Sequence, residues 1–103
     1  MRCHCGAVAL EAVGRIDTLT SCNCSICQRY GALWAYFEPE QVKVKGSEVL
    51  SGYIWGDREI AFKHCKRCGC VTHWTSLAGQ AHHLVGLNMR MADPEEIGDL
   101  AVK

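Results

Sequence analysis

No run of about 18 apolar residues occurs anywhere in the 103-residue sequence, so no helical membrane span is expected. Net charge is missing too: 11 Lys and Arg balance 11 Asp and Glu. A molecule without a net field is not drawn onto polyanions, which disfavours nonspecific binding to nucleic acid. There is no repeat, low-complexity tract or linker, and the two prolines, Pro39 and Pro94, fall where a turn or a helix start is expected. The opening Met1-Arg2-Cys3-His4-Cys5 carries no apolar stretch of the kind a secretory signal needs. These absences lead to the expectation of a soluble, cytoplasmic protein in which residues 1–103 form one domain.

Cysteine, by contrast, is abundant, with eight residues. A chain of this length buries only a modest core and gains much from a staple. In a reducing compartment, tightly clustered cysteines point to metal ligands rather than disulfides.

Short β-like stretches fill most of the rest: Ala7 to Val13, Ala32 to Phe37, Gln41 to Lys45, Val49 to Trp55, Glu59 to Lys63, Val71 to Thr75 and His82 to Asn88. Gly46, Gly52, Gly56, Gly69 and Gly79 punctuate them, which predicts an all-β domain of antiparallel sheets. Helix is scarce. One turn is expected after Cys24, and Asp93-Pro94-Glu95-Glu96 offers an N-cap, a proline at the first helical position and acids in the first turn.

The cysteines fall in three groups: Cys3-His4-Cys5-Gly6, Cys22-Asn23-Cys24-Ser25-Ile26-Cys27 and Cys65-Lys66-Arg67-Cys68-Gly69-Cys70. In Cys65-x-x-Cys68-Gly69, two intervening residues let both sulfurs face one ion while the glycine accommodates the turn. Residues i and i+2 of an extended segment point the same way, so Cys3 and Cys5 are expected to complete a tetrahedral zinc site from a strand, with His4 turned away. Lys63, Lys66 and Arg67 would offset the charge of the four thiolates. Cys22, Cys24 and Cys27 remain as three ligands with a vacant position, the arrangement of a catalytic zinc. Cys70 lies beyond the first shell on an outgoing strand and is expected to be a small buried hydrophobe. Were it instead a fourth ligand to the second group, that site would be closed. His73, His82 and His83 follow no ligand spacing and, like Tyr30, Trp34, Trp55 and Trp74, are expected in the core, at the surface or in a pocket wall.

The order Cys-His-Cys-Gly-Ala, then Cys-Asn-Cys-Ser-Ile-Cys-Gln-Arg-Tyr-Gly-Ala, then Phe62-Lys-His-Cys-Lys-Arg-Cys-Gly resembles the glutathione-dependent formaldehyde-activating enzyme family, which includes relatives of centromere protein V. Gly86-Leu87-Asn88-Met89-Arg90, shortly before Asp93-Pro94, is similar to that family's closing strand. The resemblance implies twisted antiparallel sheets and two zinc ions per chain: a structural ion on Cys3, Cys5, Cys65 and Cys68 and a catalytic one on Cys22, Cys24 and Cys27. It implies a carbon–sulfur lyase that reversibly joins formaldehyde to the thiol of glutathione, with a small thiol and a small aldehyde as partners. On that reading Arg29 would pair with a substrate carboxylate. The competing readings are a non-catalytic binding module with two structural zincs and, from cysteine content alone, an iron–sulfur protein. Family members carry a strand ahead of the first Cys-x-Cys that is not found here, so an open edge beside Ala7 to Val13, and with it a homodimer or a covered edge, is expected.

Overall fold

The computed structural model describes residues 1–54, 60–77, 84–98 and 101–102. Along these the chain forms β1 (Ala9–Ala12), β2 (Thr18–Leu19), α1 (Ser25–Tyr30), β3 (Trp34–Phe37), β4 (Val42–Lys45), β5 (Leu50–Ile54), β6 (Ile60–Cys65), β7 (Val71–Ser76), β8 (Val85–Asn88), α2 (Pro94–Ile97) and β9 (Ala101–Val102). The protein is mainly β, as the spacing of the apolar stretches predicts. Trp55, Gly56, Glu59, Gly79, His82 and His83 lie outside the described residues. Among the described residues no helix is long and apolar enough to cross a membrane.

Five strands form one antiparallel sheet in the order β3-β8-β7-β6-β5. Its inner strands are rich in β-branched and aromatic residues, Val71-Thr72-His73-Trp74-Thr75 above all, which suit a pleated, half-buried surface. β1 and β4 make a separate antiparallel pair in which Val42 and Val44 are half-buried and Lys43 and Lys45 exposed. β2 and β9 pair in parallel over two residues each. This departs from the antiparallel expectation: β9 returns from the far end of the chain, where no hairpin constrains its direction.

Alternation along β3 separates two cores. Ala35 and Phe37 face the larger one, with Val8, Leu10, Leu19, Leu87 and Met89, and the β1–β4 valines pack against it. Leu10, Leu19 and Leu87 are essentially sealed from solvent, and burial of each contributes roughly 1.5–3 kcal/mol before entropy is counted. Trp34 faces the other way, into a smaller core with Cys27, Ala32 and Phe62, against which Ile26 and Tyr30 of α1 pack. The five-stranded sheet thus carries the small sheet on one face and α1 on the other.

The edge expected to be open beside β1 is covered in part by the chain's own first residues. The Met1 ammonium donates to the Leu10 carbonyl at 3.1 Å, the Leu10 amide donates to the Met1 carbonyl at 2.8 Å, and Arg2 bridges to Ala9.

Candidate functional site

Cys3 and Cys5 sit on a turn, not on the strand that their i, i+2 spacing suggests. The Gly6 amide donates to the Cys3 carbonyl at 3.1 Å, and Gly6 has φ +80°. Across from it the Cys65–Cys68 turn repeats the design, with the Gly69 amide on the Cys65 carbonyl at 2.8 Å and Gly69 also at φ +80°. A turn suits the purpose better than a strand, because backbone amides at its tip then point at the sulfurs. The amides of Val8 and Arg67 donate to the sulfurs of Cys3 and Cys65 at 3.3 and 3.4 Å. Those of Ala7 and Cys70 act in the same sense on Cys5 and Cys68. Every sulfur of this quartet therefore meets a backbone amide donor.

The four sulfurs all lie within 4.8 Å of one another. Cys3 Sγ is 3.7 Å from Cys5 Sγ, which is 3.6 Å from Cys65 Sγ. Sulfurs at the corners of a tetrahedron about 2.3 Å from a central ion stand about 3.8 Å apart, whereas a disulfide requires about 2.05 Å. The spacing fits four ligands around one metal. The Cys70 and Cys5 amides hold the Cys68 thiol down at about 5. At Cys5 the lowering by the Ala7 amide is outweighed by burial and by the neighbouring sulfurs, which push it up to about 11. His4 is exposed, as are Lys66 and Arg67 on the second turn.

Cys70 stays on this side of the molecule. Its carbonyl accepts the Cys65 amide at 3.0 Å, and its thiol meets the His4 amide and the Cys68 sulfur. It is half-buried and is not among the four mutually close sulfurs. The second cluster therefore does not receive it.

That second cluster consists of Cys22, Cys24 and Cys27, whose sulfurs also lie within 4.8 Å of one another; among the described residues no fourth Cys, His, Asp or Glu joins them. α1 builds it. Cys24 is the N-cap, its sulfur accepting the Cys27 amide at 3.4 Å, the position a serine or aspartate usually takes. One turn on, the Cys27 side chain points back into the smaller core. The Cys27 amide, first, lowers the Cys24 thiol, whereas burial and then Cys24 and Cys22 push Cys27 up to about 12. Trp34, 1% exposed, has a buried indole N–H with no regular hydrogen-bond partner among the described residues, and its effect falls on Cys27, where it favours the thiolate. An orphaned donor beside a buried thiol is accounted for if that thiol is ionised on a metal.

Cys22 and Cys27 open onto a cavity of about 200 Å³, whose wall includes Ser21, Asn23, Gln28 and Arg90. Arg29 is exposed on the last turn of α1 and donates from Nη1 to the Ser25 carbonyl at 2.8 Å. His73 is buried in β7, its Nδ1 2.7 Å from Thr72 Oγ1. Tyr30 and Trp34 stack obliquely on Phe62, with centroids 5.5 and 6.1 Å away. Two residues that sequence reasoning left out as functional are Arg90, which lines the cavity, and Asn88, which holds two of the wall residues by their amides. Asn88, 3% exposed, accepts the amides of Leu33 and Arg90 at 3.2 and 3.1 Å and donates to the Val71 carbonyl at 2.8 Å. Arg90 donates from Nε to the Gly31 carbonyl at 3.1 Å. The only sequence signal for them is the closing Gly-Leu-Asn-Met-Arg segment.

A small β-rich domain with one closed thiol quartet and one open thiol trio, each fit to hold a metal ion, is the class that fold and site define. Residues 1–99 match the sequence profile of the glutathione-dependent formaldehyde-activating enzyme family, and the chain belongs to that family. The structure is also similar to the crystal structure of a Rhodobacter sphaeroides protein, with a TM-score of 0.80 and 29% sequence identity over 99% of this chain and 97% of that one.

Proposed function

We propose that residues 1–103 form one cytoplasmic zinc domain that works as a carbon–sulfur lyase, adding formaldehyde or a similar small aldehyde to the thiol of glutathione or a related thiol, and reversing that addition. The observation that carries this reading is the trio Cys22, Cys24 and Cys27: three mutually close thiols, two of which, Cys22 and Cys27, border a cavity, with no fourth protein ligand among the described residues. Cys3, Cys5, Cys65 and Cys68 would hold a structural zinc, and the trio a catalytic one. Zinc bound to the trio would supply a Lewis acid that ionises an incoming thiol near neutral pH.

The chain's own residues do the rest. The Cys27 amide favours the thiolate of Cys24, the Trp34 indole opposes the rise that burial imposes on Cys27, and the α1 cap fixes the spacing of the three sulfurs. The cavity admits a thiol on the side facing Asn23 and Gln28 and holds it beside the aldehyde, converting an encounter of two dilute reactants into one within a single site. In the addition, the carbon–sulfur bond forms and the carbonyl oxygen takes up the proton that the thiol gives up. The reverse step breaks that bond and regenerates both reactants.

Cobalt substitution tests the reading. Protein carrying two cobalt ions should change its visible spectrum when glutathione is added, and the change should vanish in Cys24→Ser. A spectrum indifferent to glutathione would mark both sites as structural and the protein as a binding module.

A further inference from the structure

We infer that Arg90 is the group that selects the substrate thiol, by taking a carboxylate that the thiol carries; this rests on the reading of the Cys22–Cys24–Cys27 trio as the thiol-binding site. Arg90 and two of the three cysteines line the same cavity. No Asp or Glu lines it with them, and the one ion pair between described side chains is that of Arg15 with Asp17, elsewhere on the surface. The guanidinium is thus a cation without a carboxylate partner of its own among the described residues, facing the cavity where the substrate would lie.

Its position is built, not incidental. Asn88 is buried and has three hydrogen bonds, one of which fixes the Arg90 amide and another the Leu33 amide on the cavity wall. The Nε–H is then tied to the Gly31 carbonyl just beyond α1. That bond holds the guanidinium plane while its outer N–H groups remain available for a two-pronged grip on a carboxylate. Asn23 and Gln28 add neutral donors on the same wall. Arg29, the cation expected from sequence to do this, is one residue from Gln28 but does not line the cavity; its guanidinium folds back onto Ser25.

The cavity, of about 200 Å³, takes the sulfur-bearing end of a thiol, and Arg90 on its wall takes the carboxylate. The chemical class is therefore a carboxylate-bearing thiol rather than a neutral or cationic one.

The test compares 3-mercaptopropionate with 3-mercaptopropanol, two thiols of the same length that differ in the carboxylate, titrated into the cobalt-loaded protein and followed by its visible spectrum. The wild-type protein should bind the propionate about tenfold or more tightly, as a charge-assisted hydrogen bond implies. Arg90→Gln should bring the two affinities together while leaving that for the propanol within about twofold. Arg90→Lys should keep part of the preference, and Arg29→Gln all of it. Equal binding of both thiols by the wild type, or a preference that survives Arg90→Gln, would overturn the assignment alone. Loss of cobalt affinity in Arg90→Gln with both thiols weakened equally would also overturn it, showing that Arg90 merely balances the charge of the sulfurs. Failure of either thiol to perturb the wild-type spectrum would remove the thiol site itself, and the inference with it.

Discussion

Gly46, between β4 and the turn that leads into β5, should be among the positions least tolerant of a single added methyl group. It adopts φ +91°, and a Cβ there would fall inside the envelope of the Ala7 carbonyl oxygen, with the Ala7 carbonyl carbon at 3.0 Å and Val8 Cα at 3.1 Å. These neighbours are backbone and cannot rotate away. A left-handed conformation costs a non-glycine residue roughly 1–2 kcal/mol, and forcing atoms into a filled space costs roughly 1–3 kcal/mol more. Gly46→Ala should therefore lose roughly 2–5 kcal/mol, a large share of the about 5–15 kcal/mol typical of a folded domain. Gly31 provides the comparison, with a similar φ of +65° and no atom within 4 Å of an added Cβ; Gly31→Ala should incur the backbone term alone. Urea melts of both variants measure the difference. The clash also has a chemical reading, because Ala7 belongs to the turn that presents Cys5 to Cys65. Displacing Ala7 should loosen the quartet, so zinc-loaded Gly46→Ala should surrender the quartet's ion to a chelator at a lower concentration than zinc-loaded Gly31→Ala does. Equal melts and equal chelator midpoints for the two variants would refute the reasoning.

The two clusters should differ in what their loss does. On the proposed reading, Cys68→Ser removes a ligand from a structural metal site, whose ion would contribute on the order of 10 kcal/mol, and should leave unfolded or molten protein. Cys24→Ser should stay folded with one metal ion, since serine is itself a good N-cap for α1; circular dichroism and metal analysis on both variants check this, and equal unfolding would make the trio structural. Acid should expose His73, which burial, and then the nearby Lys63 charge, depress to about 4. An unfolded histidine binds its proton near 6.5, so between those values the unfolded state carries more protons and stability falls as pH falls. The full effect is about 3 kcal/mol. Urea midpoints at pH 7 and pH 5 should accordingly diverge more in the wild type than in His73→Asn, and equal divergence would count against it.

Much of this architecture is legible in local pattern. The cysteine groups, the alternating Val42-Lys43-Val44-Lys45 strand and the Asp93-Pro94 helix start are all signals carried within a few residues, and the structure places an element at each. What the sequence conceals depends on distant partners. β2 and β9 are two residues long and exist only because they meet each other. The turn at Cys3–Cys5 reads as a strand because spacing alone cannot reveal amides aimed at sulfur. Cys70 reads as a departing residue, yet it keeps contact with His4 and Cys68 across the quartet. Arg90 gains its place from a carbonyl 59 residues away, and no periodicity announces such a pairing.

The quartet joins turns 60 residues apart, whereas the trio is complete within six residues of chain, and this sets an order of events during synthesis. At about 5–20 residues per second, Cys3 and Cys5 emerge from the ribosome about 3–12 s before Cys65 can meet them. Throughout that interval they have no partner turn to meet. The Cys22–Cys27 segment, by contrast, is able to hold an ion as soon as α1 is clear of the exit tunnel. If both clusters take up metal, loading would begin at the trio, and the quartet would close only once the Cys65–Cys68 turn has been made.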